Sequence, residues 1–521
     1  MKTGADRTYS TLRPKRGWSW ETPPEQITEA RIQETQTADV VIVGGGISGL
    51  AAAARCSQLG LSVLCIDKSD TQSAPGSQIG VADSPLMRQL GISLDKEALA
   101  RDWMAVSGSR MDETLLWLFL RRSGEVIPWL LELAGDNVEF RLHTGGYKGP
   151  GFSSHPGTHL IFKKTDSARY TSESGGRLIC EILEDTLTKN GGVLLRGQCA
   201  RQLELGDMGR VTGVIASDGQ GIYRRYAGRA VILATGGISG DREMLEAFCP
   251  LGLKPSALPC SAGSGDGQKM AYWAGAALDA PHWTAALHTM AHSRYTLFFL
   301  HVNRLGKRFM NEDTWMQAKA LRCLMQPGGN MAYTIMDSRW LEDYGQRFSL
   351  LGGEDVMPAE LGQYGSAWEP AILSGYMEEA VRSGLCARAD TLEELAEQIQ
   401  VPAIALRQTV ERYNTLADQG HDADFGKRGA LLTSIRQPPF YALQWGPGLI
   451  EVFGGAKTDT ALHVLNPHGK PVPGLFATGS MAGGFYGVDY PLLLGGNSYG
   501  RALTWALVLA ETIQHELQGG A

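Results

Sequence analysis

No apolar run in the chain approaches the roughly 18 residues that a membrane span needs. Residues 1–38 are polar, without the apolar core of a secretory signal and without a twin arginine. Cationic charge is scarce: 48 lysines and arginines against 55 aspartates and glutamates leave a net charge of −7. That balance argues against a nucleic-acid partner, whose phosphates require a basic face. The eight cysteines, at 56, 65, 180, 199, 249, 260, 323 and 386, form neither C-x-x-C nor C-x-x-C-H, which disfavours zinc ribbons, clustered iron–sulfur ligation and c-type haem. H-E-x-x-H does not occur, so zincin chemistry lacks its motif, and serine-hydrolase chemistry is not expected. His282, His288, His292 and His301 are spaced 6, 4 and 9 apart, which contains a single helical i,i+4 pair, and no metal site is expected. Cytoplasm is the expected compartment.

What is plentiful is glycine. The 65 glycines among 521 residues are about 12% of the chain, against roughly 7% on average. No collagen-like triplet or Gly/Ser linker absorbs them, so they belong in turns and where backbone closely approaches something else. The length predicts two to four domains.

Asp39–Val43 carries apolar residues on consecutive positions, as a parallel strand buried on both faces requires. It runs into Gly44-Gly45-Gly46-Ile47-Ser48-Gly49, a helix over Leu50–Leu59 stopped by Gly60, and a strand Leu61–Ile66 ending at Asp67. This βαβ unit carries G-x-G-x-x-G and an acid 18 residues past its last glycine, the pattern of a dinucleotide site. Gly44 permits the turn, Gly46 lets amides approach a pyrophosphate, and Gly49 lets helix and strand pack closely. The helix N-terminus stabilises the phosphates, and Asp67 suits ribose hydroxyls. The unit alone does not decide between NAD and FAD.

Further strands are expected at Gly192–Arg196, Ala200–Glu204, Val211–Ala216 and Ala230–Leu233, the last entering Ala234-Thr235-Gly236-Gly237. Gly263-Ser264-Gly265-Asp266-Gly267 precedes a helix. Residues 265–436 differ in character, with a helical segment Thr391–Ala417. Strand-and-glycine texture returns over Pro438–Ser480, where Gly474–Ala477 enters Thr478-Gly479-Ser480. A final helix, Asn497–Leu517, is opened by Gly495-Gly496, with Asn497 or Ser498 suited to its N-cap and to facing a bound cofactor. The expected fold is α/β: an N-terminal arm (1–37), then a Rossmann-like nucleotide-binding domain in two parts (38–264 and 437–521), interrupted by an inserted α+β domain (265–436).

These residues resemble the fumarate reductase/succinate dehydrogenase flavoprotein superfamily, including its 3-ketosteroid dehydrogenases. The motifs, in order, are VVIVGGGISGLAAA (40–53), AVILATGGISGD (230–241), GSGDGQKMAYWAGA (263–276), VNRLGKRFMNE (302–312), LRQTVERYNTLADQGHDADFGK (406–427), QPPFYAL (437–443) and PVPGLFATGSMAGG (471–484). The resemblance implies FAD, a mobile cap, and hydride transfer between flavin N5 and a carbon–carbon bond while a side chain moves a proton. Its FAD-binding candidates are Gly44, Gly46, Ile47, Ser48, Gly49, Asp67, Lys68, Ser77, Gln78, Ala200, Ala234, Thr235, Gly236, Asp266, Gly479, Ser480, Gly496, Asn497 and Ser498. Covalent members use a histidine in the loop after the first acid; Ser69–Asp83 has none, so FAD is expected to be noncovalent.

The substrate side departs from the family pattern. The position of the Arg acid of fumarate reductases, or the Tyr base of ketosteroid dehydrogenases, falls eight residues after Arg308 on Met316, beside Trp315. Glu451 stands where a carboxylate-binding histidine is usual, and Tyr490 where the second dicarboxylate-binding arginine is usual. Tyr490 followed by Pro491 resembles the steroid dehydrogenases, where this tyrosine polarises the ketone. These replacements argue against fumarate.

Tyr490, Glu451 and Trp315 are therefore the catalytic candidates: a carbonyl-polarising hydroxyl, a proton carrier and an apolar wall. The ordinary alternatives are a core tyrosine, a salt-bridged acid and core packing. Arg308 and Glu312 read as an internal ion pair. Arg501 either reaches an anionic substrate or holds a carbonyl. The function expected is an FAD oxidoreductase, an ene-reductase or dehydrogenase of a fairly apolar, ketosteroid-like or other enone. The alternatives are a flavin oxidase at C–O or C–N bonds with O2 as acceptor, and a silent electron-transfer subunit. No second complete G-x-G-x-x-G is present for NAD(P)H, so reduced flavin or a protein partner is the expected electron donor.

Overall fold

The computed structural model describes residues 17–72, 74, 76–143, 155–255, 263–290, 298–348, 350 and 370–519. His292, Cys260 and most of the loop between His143 and His159 lie outside the described residues.

The first strand, β1 (Ile32–Val43), has its apolar half, Val40–Val43, buried on both faces. It begins well before Asp39 because polar residues are held in register by a neighbour: β1 runs parallel to Tyr223–Leu233, with Glu34 opposite Arg224 and an ion pair of 3.3 Å between them. The helix α1 (Ile47–Gln58) follows, then the strand β2 (Val63–Ile66). Across the eight-stranded sheet the path runs His463–Leu465, Pro471–Ala477, Tyr223–Leu233, β1, β2 and Val193–Leu195, and a hairpin of Cys199–Leu205 with Val211–Ser217 extends from Tyr223–Leu233. Apart from that hairpin and the antiparallel His463–Leu465 edge, the pairings are parallel. A strand from each end of the chain thus flanks Tyr223–Leu233. Ala51–Ala54 of α1 are fully buried. Their short side chains let α1 pack against both Gly175–Lys189 and the last helix, Asn497–Gly519.

A second, antiparallel sheet has Phe440–Phe453 at its centre, paired with Thr284–Met290, Ala332–Met336 and Cys386–Ala389, and Leu300–Val302 pairs with Ala332–Met336. Helices Met316–Leu324, Trp340–Arg347 and Pro370–Arg382 accompany it. It takes in residues on both sides of position 437, because the last of its strands lies beyond that point. The expected helix Thr391–Ala417 is two helices, Leu392–Gln398 and Ala403–Gln419. Pro402 has no N–H to donate and its ring obstructs the preceding turn, so the first helix stops before it. The fold class is the expected one, a Rossmann-like α/β domain interrupted by an α+β cap.

Candidate functional site

The parallel registers align the strand ends that matter. Val43 is opposite both Ile66 and Leu233, and Leu233 is opposite Ala477. The residues that follow, Gly44, Asp67, Ala234 and Thr478, therefore stand side by side at the carboxyl edge of the sheet, where open α/β sheets bind ligands. Segments separated by more than four hundred residues in sequence meet there.

Gly44 has φ +109°, and a Cβ on Gly49 would collide with the Gly44 carbonyl oxygen. Glycine is needed at both places for the turn to close on the helix. Gly46 is different: its φ of −74° suits any residue, and nothing lies within 4 Å of where its Cβ would be. It caps α1 without a side-chain hydrogen bond, leaving the first-turn amides at Ile47 and Ser48 beside open space. Gly479 lies directly against Ser48, and Ser480 follows in the turn Gly479–Met481.

Asp67 accepts from the Gly45 amide at 2.5 Å and from the Ser69 amide at 2.7 Å. Lys68 Nζ donates to Ser264 Oγ at 2.6 Å and lies 3.5 Å from Asp266. A cavity of about 450 Å³ beside them is lined by Ala200, Asp266, Arg201, Tyr223 and Trp273 among others. Thr235 approaches Met481 Sδ at 3.5 Å, and the Gly236 carbonyl accepts from Gln268 at 2.8 Å. On the opposite flank the Gly80 amide donates to the Gly496 carbonyl at 2.9 Å, seating Gln78–Gly80 against the start of the last helix. The Ser77 and Thr478 hydroxyls are buried without a protein partner among the described residues. Open space at a helix N-terminus, an anchored acid and two orphaned hydroxyls fit a dinucleotide.

The last helix begins at Asn497, so Gly496, at φ +76°, occupies the cap in place of Asn497 or Ser498. Asn497 is fully buried; it accepts from Tyr486 Oη at 2.6 Å and donates to the carbonyls of Pro491 and Leu494 at 2.9 Å each. Its side chain braces the preceding loop and is not free for a flavin; only its backbone remains a candidate.

Tyr490 is nearly buried, its ring stacked on Phe453 at 5.2 Å and tilted on Tyr486 at 5.4 Å. Glu451, opposite Ala286 in the second sheet, turns its carboxylate back onto the Val452 amide at 2.9 Å and against Gly237. That brings it next to Thr235-Gly236. Trp315 precedes Met316–Leu324 and packs on the main core. From that helix Gln317 reaches Ala285 O at 2.9 Å and Asp489 Oδ1 at 2.6 Å, and accepts from the Leu287 amide at 2.6 Å. This bridge joins the Trp315–Met316 corner to the loop bearing Tyr490. Sequence reasoning passed over Gln317 and Asp489, and only their adjacency to Met316 and Tyr490 pointed to them.

Arg308 pairs with Glu312 through two bonds of 2.9 and 2.8 Å and with Asp422 through 2.9 and 2.7 Å, all buried, as an internal ion pair should. Arg501 is 1% exposed. Its guanidinium lies over Tyr486 at 4.8 Å and near Phe453 and Phe485, with one bond of 3.4 Å to Ala482 O, and burial lowers its pKa. That is the carbonyl-holding alternative, inside an aromatic cage. His288 is pushed down to about 4 by burial, and His301 is buried against Trp445. Among the described residues no group of three or more His, Cys, Asp or Glu is placed to hold a metal ion, and no helix is long and apolar enough to cross a membrane.

A family model described as FAD binding domain matches residues 39–498. A fumarate reductase (cytochrome) of Shewanella frigidimarina is 26% identical over 493 residues, 91% of this chain and 76% of that protein. A 4-oxocyclohexanecarboxylate 2-dehydrogenase of Sinomonas cyclohexanicum is 27% identical, with 93% of this chain and 94% of that protein covered. Among solved structures, a 3-ketosteroid-Δ4-(5α)-dehydrogenase of Rhodococcus jostii RHA1, in complex with 4-androstene-3,17-dione, superposes with a TM-score of 0.70 and 25% identity, covering 94% of this chain and 99% of that one.

Proposed function

For a chain that belongs to the FAD-binding domain family and is an FAD-dependent oxidoreductase, we propose the reduction or desaturation of a carbon–carbon bond conjugated to a carbonyl. The observation that carries this is Tyr490, packed between Phe453 and Tyr486 at the end of a loop that the Gln317 bridge ties to the second sheet. When bound, FAD supplies or accepts the hydride. Residues 38–264 and most of 437–521 would hold it without a covalent link, and 265–436, with the strand Phe440–Phe453, would cover the substrate. The open edge at Gly46, with Gly479 opposite, would take the pyrophosphate, and Asp67 with Lys68 and Asp266 would hold the adenosine end. The Tyr490 hydroxyl donates a hydrogen bond to the substrate carbonyl, drawing electron density towards oxygen so that the conjugated carbon accepts hydride. Phe453, Tyr486 and Trp315 provide apolar walls, which suits a ring ketone better than a dicarboxylate. The similarity to a cyclohexanone-acid dehydrogenase and a ketosteroid dehydrogenase supports this reading. Electrons arrive from free reduced flavin or from a protein donor.

Anaerobic reduction of the purified holoprotein, followed by mixing with an enone, fumarate or O2, tests the proposal. Rapid reoxidation by the enone is expected. Reoxidation by O2 alone would assign an oxidase, and failure of every organic acceptor would assign an electron-transfer subunit.

A further inference from the structure

Asp489 is a half-buried carboxyl that the reaction described above leaves unused. Its Oδ1 accepts two hydrogen bonds, from the Tyr490 amide at 2.8 Å and from Gln317 Nε2 at 2.6 Å. Its Oδ2 has no partner among the described residues, and no described cation pairs with the carboxyl. With Oδ1 taken up as an acceptor, Oδ2 is the oxygen open to carry or receive a proton. Burial pushes the Asp489 pKa up, with the two Oδ1 hydrogen bonds opposing that shift.

The position is fixed from two sides. Gln317 is itself held by Ala285 O and the Leu287 amide, the residues flanking Ala286, which pairs with Glu451. Tyr490, the proposed carbonyl donor, is the next residue in the chain. The groups that hydrogen-bond the carboxyl are neutral: the Gln317 amide from the helix and the Tyr490 backbone amide from its own loop. Met316, beside Gln317, has no proton to give. Glu451 has an oxygen engaged by the Val452 amide and leans on Gly237.

We infer that Asp489 is the acid–base residue of this site, exchanging a proton between its Oδ2 and the substrate carbon next to the carbonyl. The inference rests on the enone reading above. In reduction, a hydride from the reduced cofactor forms one C–H bond and brings both electrons. The second C–H bond forms as the O–H bond at Oδ2 breaks, and the carboxylate regains its proton from water. Desaturation runs the same bonds in reverse, with Asp489 as base.

Stopped-flow reoxidation of dithionite-reduced holoprotein by 2-cyclohexenone, for wild type and for Asp489→Asn, Asp489→Glu and Glu451→Gln, tests this. Asn keeps an oxygen for Gln317 and the Tyr490 amide but carries no exchangeable acid. Asp489→Asn is expected to react about 10²–10⁴-fold more slowly, with Asp489→Glu partly restored. FAD content, melting temperature and the enone-induced change in the oxidised flavin spectrum should stay at wild-type values. The wild-type rate should fall as pH rises through the Asp489 pKa, and the residual Asp489→Asn rate should not follow that profile. Wild-type speed and pH profile in Asp489→Asn would overturn the inference, as would a loss confined to Glu451→Gln, which assigns the proton to that residue. A wild-type protein that no enone reoxidises would sink the enone reading itself, and Asp489 with it.

Discussion

Gly46→Ala and Gly49→Ala, only three residues apart, should fail in opposite ways. At Gly46 the backbone is extended and no atom lies within 4 Å of the added methyl, so the apoprotein should fold unchanged. The methyl then occupies the space in which the pyrophosphate meets the first turn of α1. Losing one charge-assisted hydrogen bond there costs about 1.5–3 kcal/mol, which is roughly a ten- to 150-fold weaker affinity for FAD. At Gly49 the methyl meets the Gly44 carbonyl oxygen and crowds Ala234 Cβ at 3.3 Å, both rigidly held. Strand and helix must separate, at about 1–3 kcal/mol or more, whether or not FAD is present. The assay is a flavin-fluorescence titration of apoprotein together with apoprotein melting. Gly46→Ala with wild-type affinity would show that the phosphates do not contact this turn. An unshifted apoprotein melting temperature in Gly49→Ala would refute the packing argument.

Tyr490→Phe keeps the stack on Phe453 and removes the hydroxyl; enone turnover should fall about 10²–10³-fold with FAD content unchanged, as measured by steady-state kinetics. Arg308→Met leaves Glu312 and Asp422 buried without their main cation, and urea denaturation should show a loss of about 3–5 kcal/mol. His463 lies between Asp459 and Glu516, hydrogen bonds that raise its pKa from 6.5 to about 9. Its folded pKa lies above the unfolded one, so the stabilisation is full below about pH 6.5 and disappears as pH rises through about 9. Because both carboxylates are well exposed, the contribution should be about 1 kcal/mol; wild type and His463→Gln should differ by that amount in denaturant near pH 6 and converge near pH 10.

The parts of the fold legible in the sequence are those whose signal is local. Val40–Val43, the glycine turn and the alanines of α1 sit in one stretch, and burial on both faces makes them continuously apolar. The polar half of β1 carries no such signal: Glu34–Thr37 are strand only because Arg224–Ala227 lie alongside in register. The break between Leu392–Gln398 and Ala403–Gln419 was legible, since Pro402 interrupts the helical period, but the strength of the surrounding pattern obscured it.

The candidate site divides along the same line. Nucleotides are held largely by backbone amides at turns, and a glycine forces its turn wherever the fold places it; Gly44, Gly236 and Gly479 could therefore be located before their strand ends were known to be neighbours. Substrate chemistry depends on side chains, and a side chain acquires its role from what register and docking put beside it. Asn497 looked suited to a flavin-facing cap by position, yet the buried carbonyls of Pro491 and Leu494 and the Tyr486 hydroxyl claim its amide. Gln317 and Asp489 carried no motif, being 172 residues apart, and they meet because Gln317 docks on Ala285 and Leu287 of a strand whose partner carries Glu451 and Phe453. The residue beneath Tyr490 and the carboxyl beside it are thus set by one antiparallel pairing, so a slip of that register would move Glu451, Phe453 and the Gln317 bridge together and dismantle the substrate side while leaving the glycine cradle intact.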